Sequence, residues 1–340
     1  MYAARGRRGI LAGYARTFHP RQVPALPSIR PLTLALLFGA ATTPAGAAPP
    51  PTATVGAASA ATGARVTLDT PRTERTDCPT YIDTPTPRFS WLIHSTVNGT
   101  RQTSYRIVVT HDGKAVWDSG EVQSSRSFDI DYAGPALQPG RRYEWRATVR
   151  TSDGDGSVAS HFDTALDEAG WHGAQWIGKA DPTSVPAPLL RRTFHVDAGA
   201  GRATLYVAAG GYADLSIDGR PVSDAVLSPG FTDYDKRMEV LATDIALAAG
   251  DHELGAELGR GFYGMTNPNV WHWERAPWHG QPRLRALLRI RYTDGRVQDI
   301  VSDGSWRIAD GPTRLDDLYG GETYDVREAT PRAWTPAAVL

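Results

Sequence analysis

One thirteen-residue segment, 267–279, concentrates side chains that are suited to binding a sugar. It holds three tryptophans, two histidines, two asparagines and one glutamate. A tryptophan ring offers a flat apolar surface to a pyranose, while amide and carboxylate groups hydrogen-bond its hydroxyls. Binding residues are often carried on loops of a rigid scaffold. The segment therefore predicts a carbohydrate-binding site made of Asn267, Asn269, Trp271, Trp273, Glu274 and Trp278.

The same segment allows other interpretations. In one, the tryptophans pack against a neighbouring domain and bind no ligand. His272 and His279 indicate zinc only weakly, because they lie seven residues apart and no third ligand accompanies them. We therefore carry no zinc hypothesis forward.

A second group of candidates consists of carboxylates, namely Asp316, Asp317, Glu322 and Asp325. Inverting hydrolysis of a glycosidic bond needs two carboxyl groups about 6.5–9.5 Å apart, one of them protonated. The glycines and tyrosines among these residues are more typical of a loop and strand end that dock against another domain. We therefore predict a structural role for the four carboxylates and assign no catalytic residue to the chain.

The elements that must position these residues are β-strands. Residues 104–109 and 142–149 alternate between apolar and polar side chains, as half-buried antiparallel strands do. Asn-Gly and Asp-Gly pairs separate such runs and are typical of hairpin turns. Leu137, Pro139 and Tyr143 resemble the tyrosine corner of immunoglobulin-like sandwiches. The fold class is predicted to be all-β, beginning with a fibronectin type III-like sandwich at residues 65–166.

A larger sandwich of jelly-roll type is predicted for residues 170–340. Its predicted strands are 191–196, 203–208, 213–217, 253–258, 284–292, 297–301 and 306–308. Turn residues separate these strands, and no segment shows sustained helical periodicity with caps. The sugar-binding candidates fall in the long connection between two of the predicted strands.

The N-terminus has the composition of an export signal. Residues 1–30 contain six arginines and no acidic residue, an apolar stretch follows at 32–38, and Ala45-Gly46-Ala47 supplies small residues for cleavage. This order predicts a signal peptide at 1–47. Residues 48–64 are rich in Ala, Pro and Thr, which predicts a disordered linker. The protein is therefore predicted to be secreted.

Composition argues against two classes of partner. With 36 basic and 37 acidic residues the net charge is −1, so no global field attracts nucleic acid or an anionic membrane. The apolar stretch near the N-terminus is too short to span a bilayer. Cys78 is the single cysteine, which excludes an intramolecular disulfide and predicts a reduced, partly buried thiol. We therefore predict neither a nucleic-acid nor a membrane partner.

Seven short motifs follow one another along the chain. They are PRFSW (87–91), WDSG (117–120), WIG (176–178), LYVA (205–208), LSPGFTDYDKR (227–237), LGRGFY (258–263) and YGGETYDVR (319–327). Each motif is weak alone, but their order and spacing together are specific. The set resembles the N-terminal region of family 78 glycoside hydrolases, the bacterial α-L-rhamnosidases.

The resemblance implies an accessory fibronectin-like domain followed by a rhamnosidase N-terminal β domain. In the family a further β region and a catalytic (α/α)6 barrel come next, and we expect that barrel to be absent from these 340 residues. The parent enzyme is expected to remove terminal α-L-rhamnose from glycosides or polysaccharides with inversion. Some family members bind rhamnose through calcium with a related β domain. Since calcium takes carboxylate, amide and backbone oxygens, the resemblance implies Asn267, Asn269 and Glu274 as candidate calcium ligands.

This chain, expected to be inactive alone, is therefore predicted to scaffold the catalytic domain and to bind rhamnose-containing carbohydrate. Its intramolecular partner is then the C-terminal catalytic domain. Two alternatives remain: a stand-alone carbohydrate-binding protein, or a cell-surface interaction protein built from fibronectin-like modules.

Overall fold

The computed structural model describes residues 65–340, which belong to one compact unit. The predicted signal peptide at 1–47 and the predicted linker at 48–64 lie outside the described residues. Within residues 65–340 the only helices are short 3-10 turns, at Ala169–Trp171, Trp273–Arg275 and Val326–Glu328. The predicted all-β class is confirmed. Across this part of the chain, no helix is long and apolar enough to cross a membrane.

Eight strands build the first sandwich. They are β1 (Val66–Thr73), β2 (Arg88–Ser95), β3 (Gln102–His111), β4 (Lys114–Asp118), β5 (Val122–Gln123), β6 (Ile130–Asp131), β7 (Arg142–Thr151) and β8 (Gly154–Asp163). Strands β1, β2 and β6 form a three-stranded sheet, and the other five form the facing sheet in the order β4-β3-β7-β8, with β5 beside β3. Strand β7 confirms the predicted period of two, because its residues alternate between buried and exposed.

Two buried tryptophans form the centre of this sandwich. The ring of Trp145 packs on Phe89 with 4.8 Å between centroids. The Nε1–H of Trp91 donates to Gln102 Oε1 at 3.1 Å, and that of Trp145 donates to Thr73 Oγ1 at 3.0 Å. A buried polar group is costly unless it is hydrogen-bonded, so these partners allow both indoles to lie fully in the core.

The turn before β7 confirms the predicted tyrosine corner. Tyr143 is buried, and its hydroxyl accepts a hydrogen bond from the backbone N–H of Gln138 at 2.8 Å. Gly140 takes φ +64° in the same turn, a left-handed conformation that glycine adopts without steric cost. The bond therefore fixes the path of the chain as it enters the central strand.

The second sandwich uses strands β9 to β22. They are β9 (Ile177–Gly178), β10 (Pro188–Val196), β11 (Ala200–Gly210), β12 (Tyr212–Ile217), β13 (Arg220–Pro221), β14 (Val240–Ile245), β15 (Gly250–Gly259), β16 (Arg283–Tyr292), β17 (Val297–Val301), β18 (Arg307–Asp310), β19 (Thr313–Asp317), β20 (Gly321–Tyr324), β21 (Thr335–Pro336) and β22 (Ala338–Val339). One six-stranded sheet has the order β13-β12-β15-β10-β18-β21. The other has the order β14-β11-β16-β9-β22, with β17 beside β16.

Apolar residues from both sheets fill the space between them. Leu205, Leu254, Leu258, Leu288 and Trp306 are among the buried members of this core. Every strand predicted for this sandwich overlaps an observed one. The sequence did not indicate β14, nor the separate two-stranded hairpin of β19 and β20. All four residues of β20 are exposed, and the two buried residues of β19, Thr313 and Asp317, are polar, so the hairpin shows no alternation of apolar and polar residues.

The two sandwiches meet at an ion network centred on one buried carboxylate. Asp163, at the end of β8, has a side chain that is 3% exposed and lies between two arginines. Arg142 donates to its two carboxylate oxygens at 2.8 and 3.0 Å, and Arg202 of β11 donates to it from the other sandwich. Asp244 of β14 accepts from Arg202 at 3.0 Å and from Arg142 at 3.3 Å. These charge-assisted bonds therefore join the two sandwiches in one defined orientation.

Neutral contacts continue the same interface. The rings of Tyr81 and Tyr206 lie 6.2 Å apart, and Thr80 Oγ1 donates to the carbonyl of Ala242 at 2.6 Å. A small apolar cluster that includes Leu166 and Trp171 packs beside them. Polar and apolar contacts thus both hold the first sandwich against the second.

Candidate functional site

Two of the three candidate tryptophans lie within an aromatic cluster. The chain between β15 and β16 brings Trp273 and Trp278 together, with 6.1 Å between their ring centroids. The other members of this cluster are Phe231, Tyr234, Phe262 and Tyr263. Both indoles are half-buried among other rings, so Trp273 and Trp278 pack as the alternative interpretation expected. Their partners, however, belong to the same sandwich and not to a neighbouring domain.

Trp271 stands outside this cluster and is 62% exposed. Its ring lies against Tyr319, with 5.8 Å between centroids and 32° between the ring planes. Tyr319 is itself 52% exposed and comes from the β19–β20 hairpin. Of the predicted sugar-binding tryptophans, Trp271 is thus the one whose ring surface is open to a ligand.

Asn269 and Glu274 shape the turn that presents Trp271. The amide Nδ2 of Asn269 donates to Glu274 Oε2 at 3.2 Å, and its Oδ1 accepts from the backbone N–H of Trp271 at 3.1 Å. His272 adopts a left-handed conformation with φ +56°. For a residue other than glycine this conformation is uncommon and has an energetic cost, so it persists only where the surroundings enforce it. The hydrogen bonds around Asn269 supply that enforcement.

These contacts do not fit a calcium ion. Calcium requires six to eight oxygen ligands directed at one point. The Oδ1 of Asn269 already accepts a backbone N–H, and the Glu274 carboxylate faces Asn269 Nδ2 together with His272 and Arg275, each at 3.4 Å from Oε1. Asn267 lies instead against Gly320. The side-chain oxygens of Asn269 and Glu274 are therefore engaged by protein groups, which argues against a calcium site at this turn.

Asp317 joins the two loops that carry the exposed rings. Its Oδ2 accepts from the backbone N–H groups of Thr266 and Asn267 at 3.2 Å, and its Oδ1 from those of Tyr319 and Gly320 at 2.9 Å. Burial by itself raises the pKa of the Asp317 carboxyl, but the four N–H donors outweigh burial and bring the pKa below its ordinary value. The structural role predicted for Asp317 is thus visible in its contacts.

The remaining predicted carboxylates divide between two places. Asp316 and Glu322 line a cavity of about 530 Å³ on the outer face of β12 and β15. Asp325 does not line it, because its side chain accepts from the backbone N–H of Arg327 at 3.0 Å and caps a 3-10 turn. The hydrogen bond from the Arg327 side chain lowers the pKa of Asp325 to about 2. Asp325 is therefore held ionised as a capping group.

The sequence prediction did not include two carboxylates in the same cavity, Asp214 and Glu257. They face each other directly across β12 and β15, an arrangement that is destabilising when both carry charge. Burial is the largest of the effects on the pKa of Glu257, and it raises that pKa. The hydrogen bond from Thr313 opposes this, while the charges of Asp214, Glu322 and Asp316 raise the pKa further. No pattern of spacing along the chain places these groups together.

Replacing Glu257 with glutamine is expected to raise stability at neutral pH. The folded state holds the Glu257 proton more tightly than the unfolded state, because the pKa is raised by burial and by neighbouring carboxylates. Stability therefore falls as pH increases from the ordinary glutamate value through the raised one. In Glu257→Gln this fall should be weaker, and the thermal midpoint at pH 7 should exceed that of the wild type.

Glu253 is the matched control because it lies on the same strand and face and has Arg191 as an ion-pair partner at 3.6 Å. Glu253→Gln should not raise the midpoint. A Glu257→Gln protein that is less stable than wild type at pH 7 would contradict the proposed electrostatic strain.

Both sandwiches match models of known protein families. Residues 68–168 match the Rha78A-like, N-terminal immunoglobulin domain, and residues 199–339 match the alpha-L-rhamnosidase N-terminal domain. The chain carries the N-terminal β domains of the α-L-rhamnosidase family. The resemblance drawn from the seven motifs is therefore confirmed, with the first sandwich matching an immunoglobulin-type domain.

Known α-L-rhamnosidases resemble the chain in sequence and in structure. One from Formosa agariphila is 30% identical over 288 residues, which are 73% of this chain and 30% of that protein. The structure of the enzyme from Dictyoglumus thermophilum matches with a TM-score of 0.71 at 29% identity, over 80% of this chain and 34% of that one. The structure of the enzyme from Aspergillus terreus matches with a TM-score of 0.70 at 26% identity, over 81% of this chain and 34% of that one. The chain thus spans about a third of the length of these relatives.

Proposed function

We propose that this chain is the N-terminal accessory region of a secreted α-L-rhamnosidase and that it presents a carbohydrate-binding surface centred on Trp271. The proposal includes export through residues 1–47 and a longer enzyme that hydrolyses terminal α-L-rhamnose with inversion. Its support is the pair of N-terminal rhamnosidase domains in sequence, both of them β-sandwiches. In such an enzyme the chain scaffolds the catalytic domain and supplies a sugar-facing surface.

The observation that carries the binding proposal is the exposed ring of Trp271. A large apolar ring held open to solvent by a hydrogen-bonded turn marks an interaction site more often than a packing site. The polar groups next to it, His272 and Arg275, are also exposed. Hydrogen-bond donors around a flat apolar surface suit a ligand with an apolar ring face and hydroxyl edges, which describes a pyranose.

Isothermal calorimetry with L-rhamnose and with an α-L-rhamnosyl disaccharide tests this proposal. We expect heat of binding from the wild type, and an affinity lowered by about tenfold or more in Trp271→Ala, since tenfold corresponds to about 1.4 kcal/mol. Val270→Ala is the control, because Val270 is the exposed neighbour of Trp271 and has no aromatic ring. The absence of binding by the wild type to either sugar would overturn the proposal.

Binding is expected to be the same with calcium as with a chelator. The side-chain oxygens of Asn269 and Glu274, two of the three candidate ligands, already accept hydrogen bonds from the protein, so we expect the sugar-binding surface to require no metal. Titrations in calcium and in EDTA check this directly. A loss of binding in EDTA would show that the loop rearranges around an ion.

A further inference from the structure

We infer that Tyr319 is a second sugar-binding ring, and that with Trp271 it forms a two-ring platform for an oligosaccharide of at least two sugar units. This inference rests on the proposed carbohydrate-binding function and specifies its ligand class. Tyr319 lies on a different loop from the predicted binding segment, within the β19–β20 hairpin. The platform is therefore built from two parts of the chain.

The geometry of the two rings supports a shared surface. Their centroids are 5.8 Å apart and their planes are tilted by 32°, so the two rings are in aromatic contact. Rings this close leave no room for a sugar between them. More than half of each residue is exposed, so the pair offers one continuous apolar surface that is longer than a single ring. Such a surface suits successive sugar units better than one monosaccharide.

The two loops are held together by a dedicated contact. The Asp317 carboxylate accepts two backbone N–H groups from the Trp271 loop and two from the turn that carries Tyr319. Gly320 closes the contact, because a Cβ at that position would collide with the Asn267 side chain. Asp317 is thus a positioning residue: it is buried and holds together the two loops that carry the rings.

The same hairpin provides a contrasting tyrosine. Tyr324 is 55% exposed, close to the value for Tyr319, but within residues 65–340 its ring makes no aromatic contact. It lines the acidic cavity on the far strand of the hairpin. Two equally exposed tyrosines on one hairpin therefore differ in whether they adjoin Trp271. Comparing variants of the two tyrosines therefore distinguishes binding at the Trp271–Tyr319 platform from a general effect of exposed aromatic side chains.

The test compares Tyr319→Ala with Tyr324→Ala by calorimetry, using L-rhamnose and an α-L-rhamnosyl disaccharide. We expect Tyr319→Ala to lower the disaccharide affinity by about tenfold, equivalent to about 1.4 kcal/mol, with little change for the monosaccharide. Tyr324→Ala should bind both sugars as the wild type does. Disaccharide binding that is lost in Trp271→Ala but unchanged in Tyr319→Ala overturns this inference and leaves the proposed function in place. A wild type that binds neither sugar overturns the proposed function itself.

Asp317 provides a second, independent test. The quantity to compare is the disaccharide affinity divided by the monosaccharide affinity. Asp317→Ala should lower this ratio as Tyr319→Ala does, because the backbone N–H groups of the two loops lose the carboxylate that both of them bind. Asp317→Asn keeps one acceptor oxygen and should restore part of that ratio. A ratio that stays at the wild-type value in a folded Asp317→Ala protein would show that Asp317 does not position the rings.

Discussion

Replacing Asp163 with alanine is expected to lower the free energy of unfolding by about 3–5 kcal/mol, the usual effect of removing one partner from a buried ion pair. The Asp163 carboxylate accepts from Arg142 in the first sandwich and from Arg202 in the second. Without it, two partly buried guanidinium groups face each other with only Asp244 between them. Chemical denaturation followed by circular dichroism measures the change.

Asp77→Ala is the matched control for Asp163. Asp77 also forms an ion pair with an arginine, Arg72 at 3.0 Å, but both side chains are well exposed to solvent. Exposed pairs contribute little because water and salt screen them. The control should therefore unfold like the wild type. Equal stability of Asp163→Ala and Asp77→Ala would contradict the view that the ion network joins the two sandwiches.

Replacing Trp145 with alanine is expected to destabilise the first sandwich by about 3–5 kcal/mol, the range for large aromatic residues removed from a core. The indole is buried against Phe89, so the substitution leaves a cavity between the two sheets. It also removes the hydrogen-bond donor to the hydroxyl of Thr73, which is fully buried. Both effects act in the same direction.

Trp271→Ala provides the comparison for this prediction, since it makes the same change at an exposed position. Its thermal midpoint should remain near that of the wild type, whereas Trp145→Ala should melt at a clearly lower temperature. A large loss of stability in Trp271→Ala would mean that this ring supports the fold, and the binding proposal would lose its structural basis.

The parts of the fold that the sequence predicted well are those with one buried face. Strand β7 shows this most clearly, because burial alternates along it as the apolar residues do. The hairpin of β19 and β20 was missed for the opposite reason. Its strands combine acidic residues, glycine and an exposed tyrosine, and no core selects apolar residues on either face.

The sequence predicted which segment carries the candidate site but not how the residues of the site are arranged in space. The sequence identified the loop with its asparagines and tryptophans, and Trp271 is exposed as a binding residue requires. The sequence could not show that Trp271 is exposed while Trp273 and Trp278 are packed, because the packing depends on aromatic partners from other loops. Tyr319 was missed because it lies on a different loop, which the Asp317 contact holds next to the loop of Trp271. Proximity of this kind is a property of tertiary structure.

The central claim, that carbohydrate binds at the Trp271 surface, is tested most directly by NMR of the indole N–H groups. The chain has ten tryptophans, all within residues 65–340, and their indole signals report on both sandwiches as well as on the candidate site. Titration with an α-L-rhamnosyl disaccharide should shift the Trp271 signal, with smaller changes at Trp273, while those of Trp91, Trp145 and Trp306 stay in place. Saturable shifts confined to the first sandwich, or a Trp271 signal that does not move while calorimetry records binding, would contradict the account.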